Sequence, residues 1–199
     1  MPFDFKPHFE RALPYRAFLE KFGTPEHRER WENVYQRTRL TTQQLGIAGD
    51  FRRKMPVLCM AGTWCGDCVN GCPIFQKIAE ARPDLIDLRF INRVQKFDPA
   101  ATDADTVLAN EISILAAPRV PMLVFFTQDM FEACRYGERT LLTYREKGTK
   151  VLGASCSTGL FAPPADAHAA VVAEWFEQFE RVQLMLLTSP RLMKMNGEV

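Results

Sequence analysis

Neither sign of charge is in excess in this sequence: 25 lysines and arginines stand against 24 aspartates and glutamates, for a formal net charge of +1. That balance argues against the basic footprint that binding to nucleic acid or an anionic membrane requires. Histidine is scarce, and the three present, His8, His27 and His168, are too dispersed to form a metal half-site. No apolar run is long enough to span a bilayer. The first residues also lack the basic segment and uninterrupted apolar stretch of a secretory signal, so a soluble, cytoplasmic protein is expected. No strand-like run leads into G-x-G-x-x-G, and no bound flavin, nicotinamide or other cofactor is expected. Internal repeats and low-complexity segments are missing too.

The chain does have cysteine. Six occur in 199 residues, and four of them, Cys59, Cys65, Cys68 and Cys72, fall within fourteen positions. With 47% hydrophobic residues the chain can build one sizeable core with additions, so it has no need of a disulfide scaffold. In a reducing compartment, clustered cysteines point to redox catalysis or to metal. The expected partners are disulfide-containing proteins or small thiols.

Apolar residues at helical spacing over residues 9–45 predict two helices broken near Gly23, with Thr24 as N-cap and Pro25 at the first helical position. The apolar run 56–61 predicts a buried strand, followed by a turn at Gly62 and a helix from the Trp64-Cys-Gly-Asp-Cys68 segment to Ala81, where Arg82-Pro83 stops it. Residues 85–91 alternate as a strand, and residues 106–112 form a helix. Residues 120–126 and 131–139 then make an antiparallel hairpin about Gln128-Asp129. A helix over 140–147, a Gly/Ser/Thr-rich loop over 148–164 and an amphipathic helix over 165–187 complete the chain. The expected organisation is an N-terminal helical extension at 1–50 packing on an α/β domain at 51–188, with a C-terminal tail at 189–199.

A strand leading into C-x-x-C at a helix start lets two sulfurs close a small disulfide while the helix terminus stabilises a thiolate. The backbone N–H groups and the positive end of the helix dipole favour the first cysteine, lowering its pKa from about 8.5 in comparable motifs. Cys65 is therefore the expected nucleophile. Cys68, one turn in and more buried, is the expected resolving thiol.

Trp64 to Cys68 resembles the thioredoxin family. Pro73, five residues after Cys68, stands where the family has its helix-kinking proline, and Val120-Pro121 matches its apolar residue and cis-proline before a core strand. The resemblance implies a thioredoxin-like α/β fold, a central mixed sheet flanked by helices, with extra N-terminal helices. It also implies exchange of protein disulfides through Cys65 and Cys68, and a separate reductase as electron donor. Trp64, Gly66, Asp67, Val120 and Pro121 would support the site, with Pro121 cis and lying against the disulfide. The Trp-Cys-Gly-Asp-Cys form and the segment Gly137-Glu138-Arg139 resemble a bacterial branch of thioredoxin-like proteins.

Two positions depart from the family pattern. Cys59 replaces the buried carboxylate usual six residues before the first cysteine, and Asp67 replaces the proline between the cysteines, adding negative charge that opposes the thiolate. Cys72, four residues after Cys68, lies on the same helix face. It and Cys59 are read as buried small residues, with Cys72 as an alternate disulfide partner or thiolate ligand the other reading. Cys134 reads as strand packing, and Cys156 as an incidental loop thiol or an accessible regulatory one. Two further readings of the whole stay open. One is a Cys-ligated metal or iron–sulfur module built on Cys65, Cys68 and Cys72; the other is a redox-sensing or partner-binding protein that keeps the fold without turnover.

Overall fold

The computed structural model describes residues 3–93, 103–152 and 165–198. The N-terminal region folds into four helices, α1 (Lys6–Arg11), α2 (Tyr15–Phe22), α3 (Pro25–Arg37) and α4 (Thr42–Gly49), where the spacing predicts two. Proline and capping divide them. Ala12 is extended, Pro14 opens α2, and Leu13 forms a two-way bridge with Phe90, N–H to O distances 2.8 and 2.7 Å. Thr24 caps α3 as expected, accepting from the His27 N–H at 3.2 Å. Thr41 and Gln44 close a reciprocal capping box on α4.

Strand β1 (Met55–Ala61) leads to α5 (Gly66–Ala81), followed by β2 (Ile86–Asn92), α6 (Asp103–Glu111), β3 (Met122–Phe126) and β4 (Glu132–Gly137). Then come α7 (Leu141–Leu152), α8 (Ala167–Leu187) and α9 (Pro190–Met195). Helix α7 runs five residues into the expected loop, whose remainder, with Cys156, lies outside the described residues. At the C-terminal end, α9 is followed by Glu198, which pairs with the buried Arg53 at 2.5 Å.

The sheet is mixed, in the order β2-β1-β3-β4, with β1 parallel to β2 and antiparallel to β3, and β3 antiparallel to β4. This is the expected α/β architecture with extra helices. The uninterrupted apolar sequence of β1 suits a central strand covered on both faces. In β3, successive side chains point to opposite faces, so Phe125 packs on Phe179 of α8 while Phe126 packs on Phe5 and Phe9. Helices α5 and α8 share one face through Phe75, Trp175 and Phe179. Cys59 is in register with Phe90 and Leu123, which turns its side chain toward that same face. Among the described residues no helix is long and apolar enough to cross a membrane.

Candidate active site

Strand β1 ends at Ala61, and three residues turn the chain into α5. Cys65 is the N-cap of that helix, its carbonyl accepting from the Val69 N–H at 2.9 Å. It is half-buried, whereas Cys68, one turn in, is fully buried. The Gly62 N–H points at the Cys68 sulfur, 3.4 Å away. The Cys65 sulfur also lies 3.7 Å from the Val120 carbonyl oxygen. The Val120–Pro121 peptide is cis, so the segment that the sequence places some fifty residues away borders the first cysteine.

Small residues admit this approach. A Cβ on Gly71 would lie 3.4 Å from the Pro121 ring, and one on Gly137 would lie 2.6 Å from the Pro121 carbonyl oxygen. Gly62 lies under the Trp64 ring, where a Cβ would come within 2.8 Å of it. Gly66, in contrast, faces open space.

The loop before Cys65 is held by the N-terminal helices, through contacts invisible in the motif. The Trp31 indole donates to the Thr63 carbonyl at 3.0 Å. The Thr63 hydroxyl donates to the Phe22 carbonyl at 3.0 Å and meets His27 Nδ1 at 3.2 Å. Trp31 and Thr63 are buried, and Trp31 packs on Tyr15, Phe18 and Phe90.

Asp67 brings negative charge beside the cysteines, as its sequence position implies, and that charge is ion-paired. Arg139 reaches it at 2.5 Å and Lys147 at 3.4 Å. Arg139 also pairs with the buried Glu138, which takes Arg119 at 2.6 Å and the Tyr144 hydroxyl at 2.8 Å. One ionic chain thus connects Arg119, just before the cis-proline, to the turn between the cysteines.

Cys65 and Cys68 interact strongly enough to titrate as a pair. Burial raises Cys68, but hydrogen bonds with Cys65, Cys72 and the Gly62 amide outweigh it and hold this thiol at about 5. The hydrogen bond with Cys68, followed by burial, pushes Cys65 up, while the amides of Cys68 and Asp67 pull it down. The pair therefore loses its first proton well below the ordinary thiol range and keeps the second far above it. The thiol held low is Cys68, while the helix-terminal amides favour charge on Cys65, the more exposed sulfur. Because Asp67 opposes charge on Cys68, Asp67→Asn should lower the midpoint for alkylation by iodoacetamide. Arg139→Ala removes the counter-charge and should raise it. Each shift should be about half a unit to one unit, read from rate against pH.

Cys59 and Cys72, the auxiliary thiols of the sequence reading, are both fully buried with their sulfurs 3.9 Å apart. Cys134 is half-buried on β4, near Arg181. Among the described residues no group of three or more His, Cys, Asp or Glu side chains is arranged to hold a metal.

A thioredoxin family model matches residues 13–141, and no curated protein sequence matches the chain. Among solved structures, a protein of unknown function from Pseudomonas aeruginosa superposes with a TM-score of 0.65 at 15% identity, covering 91% of this chain and 97% of its own. An HIV epitope-scaffold gives 0.66 at 13% identity, with 94% and 99% covered. At such identities the likeness is one of fold. Because it leaves so little of this chain uncovered, most of α1–α4 falls within the shared architecture. The family match encloses Cys65, Cys68 and the Val120–Pro121 segment alike, and the chain belongs to the thioredoxin family.

Proposed function

We propose that this chain is a thiol–disulfide oxidoreductase that reduces or exchanges protein disulfides through Cys65 and Cys68. The observation that carries the reading is the placement of a half-exposed Cys65 at a helix N-terminus, one turn from a buried Cys68 and bordered by the Val120 carbonyl. Cys65 thiolate attacks one sulfur of a substrate disulfide, forming a mixed disulfide and releasing the other sulfur as a thiolate. Cys68 then attacks Cys65, closing the internal disulfide and releasing the second substrate thiol. The substrate is an accessible disulfide of a protein or small thiol, and a separate reductase in a reducing, cytoplasmic setting returns the electrons. Trp64 and the Val120–Pro121 edge flank the attacking sulfur as the surface a substrate segment meets.

The test is reduction of insulin disulfides with dithiothreitol as electron donor, alongside alkylation of the reduced protein at graded pH. Turnover above the dithiothreitol background is expected. Alkylation should stay fast at neutral pH and fall as pH drops through about 5, where the pair takes up its second proton. A protein that bound disulfide partners without turnover, and whose thiols alkylated only above pH 8 or so, would be a binding module instead.

A further inference from the structure

Beneath the active pair lies a second pair of thiols that the catalytic cycle above leaves unused. Cys59 comes from the centre of β1 and Cys72 from the second turn of α5, thirteen residues apart in sequence, and their sulfurs stand 3.9 Å from each other. A disulfide bond is about 2.05 Å long, so closing this one needs an approach of roughly 2 Å. Cys72 lies one turn beyond Cys68 on the same face of α5 and meets Cys59 across the gap to β1. The four cysteines thus follow one another inward, from the half-exposed Cys65 through Cys68 and Cys72 on α5 to Cys59 on β1. The last three are fully buried.

We propose that Cys59 and Cys72 are a second redox pair that exchanges with the first through Cys68, allowing one chain to accept two disulfide equivalents. The proposal rests on the oxidoreductase reading, because its oxidant is a substrate disulfide that has already converted Cys65 and Cys68 to their disulfide. Cys72 then attacks the Cys68 sulfur: the Cys68–Cys72 bond forms, the Cys65–Cys68 bond breaks, and Cys65 leaves with the electron pair and takes the proton Cys72 gives up. Cys59 next attacks Cys72: the Cys59–Cys72 bond forms, the Cys68–Cys72 bond breaks, and Cys68 leaves and takes the proton of Cys59. The active pair is again a dithiol and can reduce a second substrate. No electron or proton is lost or gained in the inward transfer.

The surroundings fit a store reached only from one side. Neither Cys59 nor Cys72 is open to an external thiol, so among the described cysteines exchange enters through Cys68. Burial holds both as neutral thiols, so each attack must proceed with transfer of its proton to the leaving sulfur, making this exchange slower than that at Cys65. Cys59 also occupies the position where the family pattern calls for a carboxylate. A thiol there cannot act as an ionised base in this burial, but it can act as an exchange partner.

The experiment is non-reducing peptide mapping of the fully reduced wild-type protein during incubation with excess oxidised glutathione. The Cys65–Cys68 link should form first and a Cys59–Cys72 link should follow, four thiols being consumed in these two links. In Cys65→Ser, whose substitution is at the half-exposed end, the Cys59–Cys72 link should form at least about tenfold more slowly. A Cys65–Cys68 link with Cys59 and Cys72 still free after unfolding overturns the inference and leaves the oxidoreductase reading standing. Formation of the inner link at an undiminished rate in Cys65→Ser overturns the route through the active pair. If neither link forms, both the inference and the reading on which it rests fail.

Discussion

Cys65→Ser is expected to lower insulin reduction at least about a thousand-fold, to the background of the added dithiol, because a serine hydroxyl at this position is neither ionised at neutral pH nor able to form a disulfide. The fold should survive, since the side chain is half-exposed and its sulfur borders the Val120 carbonyl, which a hydroxyl can also meet. Cys68→Ser should behave differently. Its hydroxyl can accept from the Gly62 N–H that now points at sulfur, so the buried site stays satisfied. Cys65 keeps its place and its amides, and the first attack proceeds. The second cannot, and a mixed disulfide between Cys65 and the substrate should accumulate, visible by mass spectrometry as one stable adduct per chain. Equal loss of the first step in both variants would mean that coupling to Cys68, not the position at the helix terminus, is what makes Cys65 reactive.

The two halves of the site are coupled by charge as well as by proximity. Arg119 stands two residues before Pro121, Glu138 follows the glycine that packs on the Pro121 carbonyl, and Asp67 lies between the cysteines; Arg139 joins the last two. An ion pair this buried adds little net stability relative to an apolar replacement, but removal of one partner strands another. Its value here is positional. It fixes the cis-proline edge against the start of α5, so that the Val120–Pro121 segment and Cys65 keep one relative geometry.

The strand–helix–strand order, the turn into C-x-x-C and the exposure difference between Cys65 and Cys68 were legible because each depends on local pattern: an apolar run, a helix start, a one-turn spacing. The Thr24 cap was legible for the same reason. Residues 9–45 misled because apolar spacing persists across Pro14 and Thr41, although Thr41-x-x-Gln44 was a readable capping signal. The partner of Asp67 was not readable, since Arg139 is seventy-two residues away and meets it only once β4 has docked beside β3. The nearness of Cys59 to Cys72 was hidden similarly: it depends on which face of β1 turns toward α5, and a strand with apolar residues at every position does not declare its faces. Thr63 looked like a spacer in the motif loop, and its three partners come from helices far upstream.

That last contact suggests how the N-terminal helices serve the site. Trp31→Ala should destabilise the protein by about 3–5 kcal/mol, the usual cost of deleting a fully buried indole. For a chain of this size it corresponds to a fall in Tm of about 6–20 °C by calorimetry or circular dichroism. Cavity formation among Tyr15, Phe18 and Phe90 accounts for most of it, so loss of stability alone does not reveal a role in the site. Trp31→Phe separates the two effects. Phenylalanine keeps much of the ring contact but has no N–H, leaving the buried Thr63 carbonyl without its donor, at a cost of about 1–3 kcal/mol. Thr63 lies two residues before Cys65, and the Gly62 N–H that supports the Cys68 sulfur lies one residue further back. Release of the Thr63 carbonyl should therefore loosen that amide and raise the pH midpoint of Cys65 alkylation in a protein that is still folded. If Trp31→Phe lowers Tm while the alkylation profile stays unchanged, the helices act as core packing and the loop holds its shape unaided.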